Sequence, residues 1–233
     1  MHRARKRFGQ HFLHDKNIIA KIVDTIDPRK GDNLVEIGPG QGALTYPLLQ
    51  RCGRLTAVEL DRDLVTSLRQ GSQNHGDLEV INADILKFDL EDLAADNRIR
   101  IVGNLPYNIS TPLMFHLMKS IGKIQDMHFM VQKEVAIRIG AAENSRDYGR
   151  LSVMMQYFCR CQYLFDVAPG CFTPPPRVDS AIIRLQPHPQ PVAEIGDFSL
   201  FSSIVQNAFG QRRKTIANAL KSSVAPELFD ACH

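Results

Sequence analysis

Residues 35–42 read Val35-Glu36-Ile37-Gly38-Pro39-Gly40-Gln41-Gly42. An apolar run ends in alternating glycines, and an amphipathic run follows at 43–51. That pattern is a strand closing into a tight turn that opens a helix. Glycine turns tightly and brings the main chain close to a ligand with no Cβ in the way. The same unit recurs along the chain. Strands are expected at 33–37, 55–60, 78–82, 98–102 and 127–132, and helices at 43–51, 61–69, 111–119 and 133–139, with Pro112 tolerated in a first turn. Such alternation makes βαβ units, hence an α/β fold with a parallel sheet and helices on both faces. The pattern then breaks. Strands at 163–167 and 178–185 flank Pro169-Gly170 and Thr173-Pro174-Pro175-Pro176 with no helix expected between them, which predicts an antiparallel hairpin at a sheet edge. Pro187, Pro189 and Pro191 mark a linker, and helices at 198–209 and 214–221 follow. The expected organisation is one domain at 1–189 and a small all-helical domain at 190–233.

Composition sets bounds on this reading. The 233 residues are 44% hydrophobic with a net charge of +3, suiting a globular chain that permits an anionic partner without demanding one. Arg3, Arg5, Lys6 and Arg7 form one basic cluster, and Arg212, Arg213 and Lys214 another; each alone is as often a solvated tail as a binding face. Five cysteines without a C-x-x-C pair, and no His/Cys set with zinc spacing, predict a reduced intracellular chain with no metal site. There is no apolar run of about 18 residues and no signal-peptide core, so no membrane partner and a cytoplasmic location are expected. The methionines Met114, Met118, Met127, Met130, Met154 and Met155 read as core filler.

Three strand ends carry binding residues. Gly38 and Gly40 shape the first turn, although this spacing is not the Gly-x-Gly-x-x-Gly dinucleotide fingerprint. Glu59 ends the next strand, about 20 positions on, where a carboxylate accepts hydrogen bonds from ribose hydroxyls. Asp84 ends the third strand, where it can meet an adenine amine. Singly, each acid is more often a cap or turn former; together they indicate a nucleoside cofactor, NAD or S-adenosylmethionine.

The fourth strand ends in Gly103-Asn104-Leu105-Pro106-Tyr107, which decides for S-adenosylmethionine. An adenine amine is conjugated with its ring and is a poor nucleophile, so a site must turn its lone pair towards the methyl donor. The Asn104 side-chain carbonyl and the Leu105 main-chain carbonyl can accept the amino hydrogens. Pro106 stiffens the turn, and Tyr107 offers a stacking face. In-line alignment then does the work, without a covalent intermediate or a strong base. Phe172, on a proline-stiffened loop, is either a second wall for the base or a core residue.

These segments resemble the universal rRNA adenine dimethyltransferase family, the bacterial small-subunit (16S) ribosomal RNA adenine N6,N6-dimethyltransferases. The matching pieces run in order along the chain: 5–13 (RKRFGQHFL), Val35 to Gly40, Glu59-Leu60-Asp61, Asn104 to Ser110, Tyr148-Gly149-Arg150-Leu151-Ser152, the Phe172 loop, and Phe209-Gly210-Gln211-Arg212-Arg213-Lys214-Thr215. The resemblance implies a Rossmann-like methyltransferase fold with a seven-stranded sheet and a helical C-terminal domain. It implies cofactor contacts at His11, Leu13, Gly38, Glu59, Asp84 and Asn104, with Asn104 to Tyr107 and Phe172 holding the target adenine. It also implies an enzyme that dimethylates two adjacent adenines near the 3′ end of the small-subunit RNA, within an assembling 30S subunit; a monomer is expected. The basic clusters then become phosphate contacts. His11 stands where the family usually has Asn, and the helical domain usually runs further than His233. The rivals are an adenine methyltransferase on another nucleic acid and a non-catalytic assembly factor on the same scaffold. DNA amino-methylases usually carry Pro where this chain has Leu105.

Overall fold

The computed structural model describes residues 10–94, 97–211 and 214–221. The basic cluster at 3–7, together with Arg212, Arg213 and Cys232, lies outside the described residues.

A seven-stranded sheet forms the centre. Its strands are β2 (Leu34–Ile37), β3 (Arg54–Glu59), β4 (Asp77–Asn82), β5 (Ile99–Asn104), β6 (Ile124–Gln132), β7 (Cys159–Val167) and β9 (Ser180–Pro187), in the order β4-β3-β2-β5-β6-β9-β7. The first five run parallel; β9 pairs antiparallel with both β6 and the edge strand β7. The expected hairpin is therefore present, with its second strand inserted next to the parallel set. Strand order reverses at β2, between β3 and β5. A ligand crevice is expected there, outside the carboxyl ends of the strands. All four residues of β2 are buried, as a central parallel strand covered on both faces requires.

Helices α2 (Thr45–Cys52), α3 (Arg62–Gly71), α5 (Ser110–Leu117) and α6 (Lys133–Ile139) fall within two residues of the sequence expectation. Helices α1 (Lys16–Ile26), α4 (Glu91–Ala94) and α7 (Arg150–Phe158) were not expected. Asp15 starts α1 by accepting from the amides of Asn17 and Ile18, a cap that β-branched residues beyond it obscure in the sequence. Helix α7 runs straight into β7 with no Gly or Pro between, so no breaker announces it. Met114, Met118, Met127, Met130, Met154 and Met155 are all buried.

Helix α8 (Phe198–Gly210) and the short α9 (Ile216–Leu220) are the described part of the expected helical region. Val205 of α8 is buried in the main core, and Phe201 and Phe198 pack against Tyr157 and Phe158 of α7. Among the described residues, no helix is long and apolar enough to cross a membrane, and no three His, Cys, Asp or Glu are grouped to hold a metal.

In the middle of β6, His128 is buried, and its Nδ1 has no hydrogen-bond partner. Burial pushes its pKa down to about 4, although the nearby Asp126 charge opposes the shift. An unfolded imidazole protonates near 6.5. The stability that neutral His128 contributes is therefore complete above that value and lost as pH falls towards about 4. We expect urea titrations to show about 3 kcal/mol less stability at pH 4 than at pH 7 from this site, and His128→Gln to flatten that slope. An unchanged slope would refute the assignment.

Candidate active site

The glycine turn after β2 is shaped by three left-handed residues, Gly38 (φ 67°), Gly40 (φ 58°) and Gly42 (φ 85°). The Gly38 amide donates to the Val58 carbonyl at 3.0 Å, so the turn stays stitched to β3. The Gly40 amide donates to Glu59 Oε2 at 3.2 Å, and Glu59 Oε1 accepts from the Asp61 amide at 2.8 Å. The Glu59 carboxylate thus sits at the end of β3 and braces the loop that follows β2. Burial pushes its pKa up, against the two amide donors that favour its charge. Asn82 supports the same corner, donating to the carbonyls of Glu59 and Leu60. Asp84, after β4, spends Oδ1 on the Leu86 amide at 3.1 Å, and so is also the turn former that its sequence context allowed.

Opposite lies the end of β5. A Cβ on Gly103 would collide with the Ile37 carbonyl, so only glycine lets β5 pack this closely on β2. Asn104 Nδ2 donates to the His11 carbonyl at 3.0 Å. A carbonyl can only accept, so this bond fixes the amide orientation and leaves Oδ1 as an acceptor. The Leu105 amide donates to the Met130 carbonyl at 3.1 Å, and its side chain is buried. The Tyr107 hydroxyl is 2.7 Å from Ser180 Oγ. Its ring stacks with that of His11, centroids 5.5 Å apart. His11 Nδ1 in turn donates to the Pro174 carbonyl at 2.7 Å.

The segment carrying His11 is held from both sides. Strand β1 (Phe12–Leu13) pairs antiparallel with β8 (Phe172–Thr173), and the His14 amide donates to the Cys171 carbonyl. The N-terminal segment is thereby laid across the carboxyl edge of the sheet, where it roofs a cavity of about 370 Å³. His11, Leu13, Gly38, Gly40, Glu59, Asp84 and Asn104 all line that cavity, as do Leu105, Pro106 and Tyr107. Its volume is that of a small-molecule site.

Phe172 is the exception. It is 2% exposed, packs among Leu13, Val167 and Ile182, and does not line the cavity. Pairing of β8 with β1 turns Phe172 inward beside Leu13, so here it is the core residue of the two readings and not an open wall. Glu36, in the strand before the glycine turn, is a site residue that no local sequence signal marks. It is 2% exposed, lines the cavity and leaves Oε2 without a partner. Burial pushes its pKa up to about 8; the Thr45 hydroxyl, close by but short of full hydrogen-bond geometry, opposes this, and the Glu59 charge adds to it. An orphan buried carboxyl beside a cavity suits a cationic ligand. Gly40 lets the turn lie close under the N-terminal segment: a Cβ there would press on the Phe12 ring at 3.3 Å.

Sheet order, glycine turn, Glu59 and the anchored Asn104 together define a Rossmann-like S-adenosylmethionine-dependent methyltransferase. The family model for ribosomal RNA adenine dimethylases matches residues 1–232, and the chain belongs to that family. It is 53% identical over 230 residues to the ribosomal RNA small subunit methyltransferase A of Acinetobacter baylyi, covering 98% of this chain and 84% of that protein. Among solved structures it is similar to a dimethyladenosine transferase from Plasmodium falciparum, with a TM-score of 0.80 and 26% identity over 95% of this chain and 78% of the other. It is also similar to the 23S rRNA methyltransferase ErmE, with a TM-score of 0.73 and 30% identity over 94% and 87% of the two chains.

Proposed function

We propose that this enzyme dimethylates the N6 amines of two adjacent adenines near the 3′ end of small-subunit ribosomal RNA, acting as a cytoplasmic monomer on the assembling 30S subunit. The observation that carries the reading is Asn104, whose amide nitrogen is committed to the His11 carbonyl and whose Oδ1 is left to accept at the mouth of a cofactor-sized cavity. S-adenosylmethionine supplies a methyl group on a sulfonium. The chain's own residues do the rest. Asn104 Oδ1 and the Leu105 carbonyl accept the two amino hydrogens and so turn the nitrogen lone pair inward. Tyr107, anchored through Ser180, presents a ring face to the base. The proton leaves the nitrogen after transfer, and each adenine passes twice. Glu59 holds the ribose, Asp84 meets the adenine end, and Leu13, Gly38, Gly40 and His11 close on the cofactor between them. Residues 190–233 position the RNA, with Arg212, Arg213 and Lys214 on its phosphates.

Labelled cofactor offered with unmodified small subunits, large-subunit RNA and DNA tests the substrate. Label is expected in the small-subunit adenine pair; label in the other two alone overturns the reading. Glu59→Ala is expected to weaken cofactor binding by about tenfold to a hundredfold while RNA binding holds. RNA titrations that weaken first would refute the ribose role.

Glu36 adds a pH dependence. Its carboxyl is largely neutral below about 8 in the free enzyme. A cationic cofactor favours the anion, so binding below that pH releases a proton. Affinity should therefore climb as pH rises and level off above about 8. Calorimetry of Glu36→Gln in parallel cancels the cofactor's own ionisation. The wild type should gain up to about 25-fold more than the variant between pH 6.5 and 8.5. Parallel curves would remove Glu36 from the site.

A further inference from the structure

A second hollow, of about 490 Å³, opens on the same edge of the sheet as the cofactor cavity. It lies between the end of β6, the start of α6 and residues 177–179 of the proline loop. No step of the proposed reaction uses it. It is close to the target-base site. The Tyr107 hydroxyl meets Ser180 Oγ, Ser180 is the Cα partner of Gln132, and Gln132 lines the hollow. Paired residues on antiparallel strands stand about 5 Å apart. The hollow therefore begins one strand-pair step from the ring offered to the target adenine, within the reach of one nucleotide.

The walls differ in chemistry, and the differences fit parts of a nucleotide. Val178 and Ile137 are apolar and 46% and 41% exposed, an uncovered surface for the face of a base. Arg177 makes no hydrogen bond or ion pair among the described residues, so its guanidinium is available to a phosphate. The carboxylates of Asp147 and Asp179 likewise make no hydrogen bond or ion pair among the described residues, although the Asp179 charge acts on nearby Lys133. They accept and cannot donate, so they select a base edge that carries an exocyclic amine. Lys133 has a structural task, with Nζ 2.6 Å from Asp166 and its amide bound to the Asp179 carbonyl. That second bond fixes the loop against α6.

We infer that this groove is the subsite for the nucleotide beside the target, with Arg177 on its phosphate and Asp147 and Asp179 on its exocyclic amine. While one adenine of the pair reacts in the cavity, its neighbour is held here. The inference rests on the adenine-pair function proposed above. It has a chemical corollary. Dimethylation strips N6 of both hydrogens, so a finished neighbour no longer donates to the two carboxylates. The groove therefore favours an unmodified neighbour over a dimethylated one.

The test uses unmodified small subunits carrying either the native adenine or a uracil beside a single target adenine. Wild-type kcat/KM should fall by about tenfold with uracil, which lacks the amine. The Asp147→Asn/Asp179→Asn variant, which keeps side-chain shape but adds amide donors, should lose that preference. Arg177→Ala should raise KM for both RNAs by about tenfold, leaving kcat and calorimetric cofactor affinity unchanged; Arg177→Lys should recover part of the loss. Intact cofactor affinity shows that each variant is folded. Equal wild-type rates on the two RNAs, or a preference that survives in the double variant, overturn the subsite while leaving the function standing. No methylation of either RNA by the wild type overturns the function and this inference with it.

Discussion

Asn104→Ala should lower the single-turnover rate of methyl transfer by about 10²–10³ while RNA binding stays within about twofold. Alanine removes two things at once. It deletes the acceptor that turns the amine's lone pair towards the methyl donor. It also deletes the 3.0 Å bond to the His11 carbonyl that pins the N-terminal segment over the cavity. Asn104→Asp separates the two. A carboxylate keeps an acceptor but faces the His11 carbonyl with no hydrogen to share, so the pin is lost to repulsion. We expect Asn104→Asp to be nearly as slow as alanine, with a larger loss of cofactor affinity because the segment bearing Leu13 loosens. The measurement is single-turnover transfer on unmodified small subunits alongside RNA titration. A variant that binds RNA normally and still methylates removes Asn104 from the chemistry. Normal RNA binding with no transfer also excludes a pure assembly factor.

Asp126→Ala should cost about 3–5 kcal/mol of stability and lower the melting temperature by roughly 10 °C. Arg100 is buried at the start of β5, where Nε and Nη2 reach the two Asp126 oxygens at 2.9 and 3.1 Å. Nη1 meets Asp32 at 2.6 Å, and Nη2 caps the Ile26 carbonyl at the end of α1 at 2.7 Å. Burial works against the Arg100 charge, but the two carboxylates more than offset it, so its pKa is raised. Removing Asp126 leaves the guanidinium buried with half its compensation, and also unpairs Arg184, 3.3 Å away. The effect extends to the site, because Arg100 seats α1 on the sheet and α1 carries the segment that roofs the cavity. Asp126→Asn, which retains one acceptor, should cost less. Melts monitored by circular dichroism decide it; a shift below about 3 °C would mean that the cluster is not holding α1.

Local chemistry was legible in the residues alone. Alternating apolar runs, the glycines after β2, and acids at strand ends each depend on neighbours within one or two turns of chain. They placed the parallel strands and the edge hairpin, and they singled out Gly38–Gly40, Glu59 and Asp84, which line one cavity. Asn104 to Tyr107 stood out for the same reason: the chemistry proposed for it rests on four consecutive residues, all of which line that cavity.

What the tertiary structure decided depends on residues far apart in sequence. Asn104 is oriented by a carbonyl 93 positions away. Phe172 reads from its loop as either a wall or a core residue, and only the pairing of β8 with β1 turns it inward. Glu36 looks like any strand acid until burial leaves one of its oxygens without a partner at the cavity. The Arg100 cluster and the Arg177 groove are assembled from separate elements, and no spacing rule within one element records them. The sequence by itself determined the class of chemistry this protein carries and pointed to strand ends that share one cavity. Only folding determined which groups face one another, because burial and hydrogen-bond partnership are set by neighbours in space.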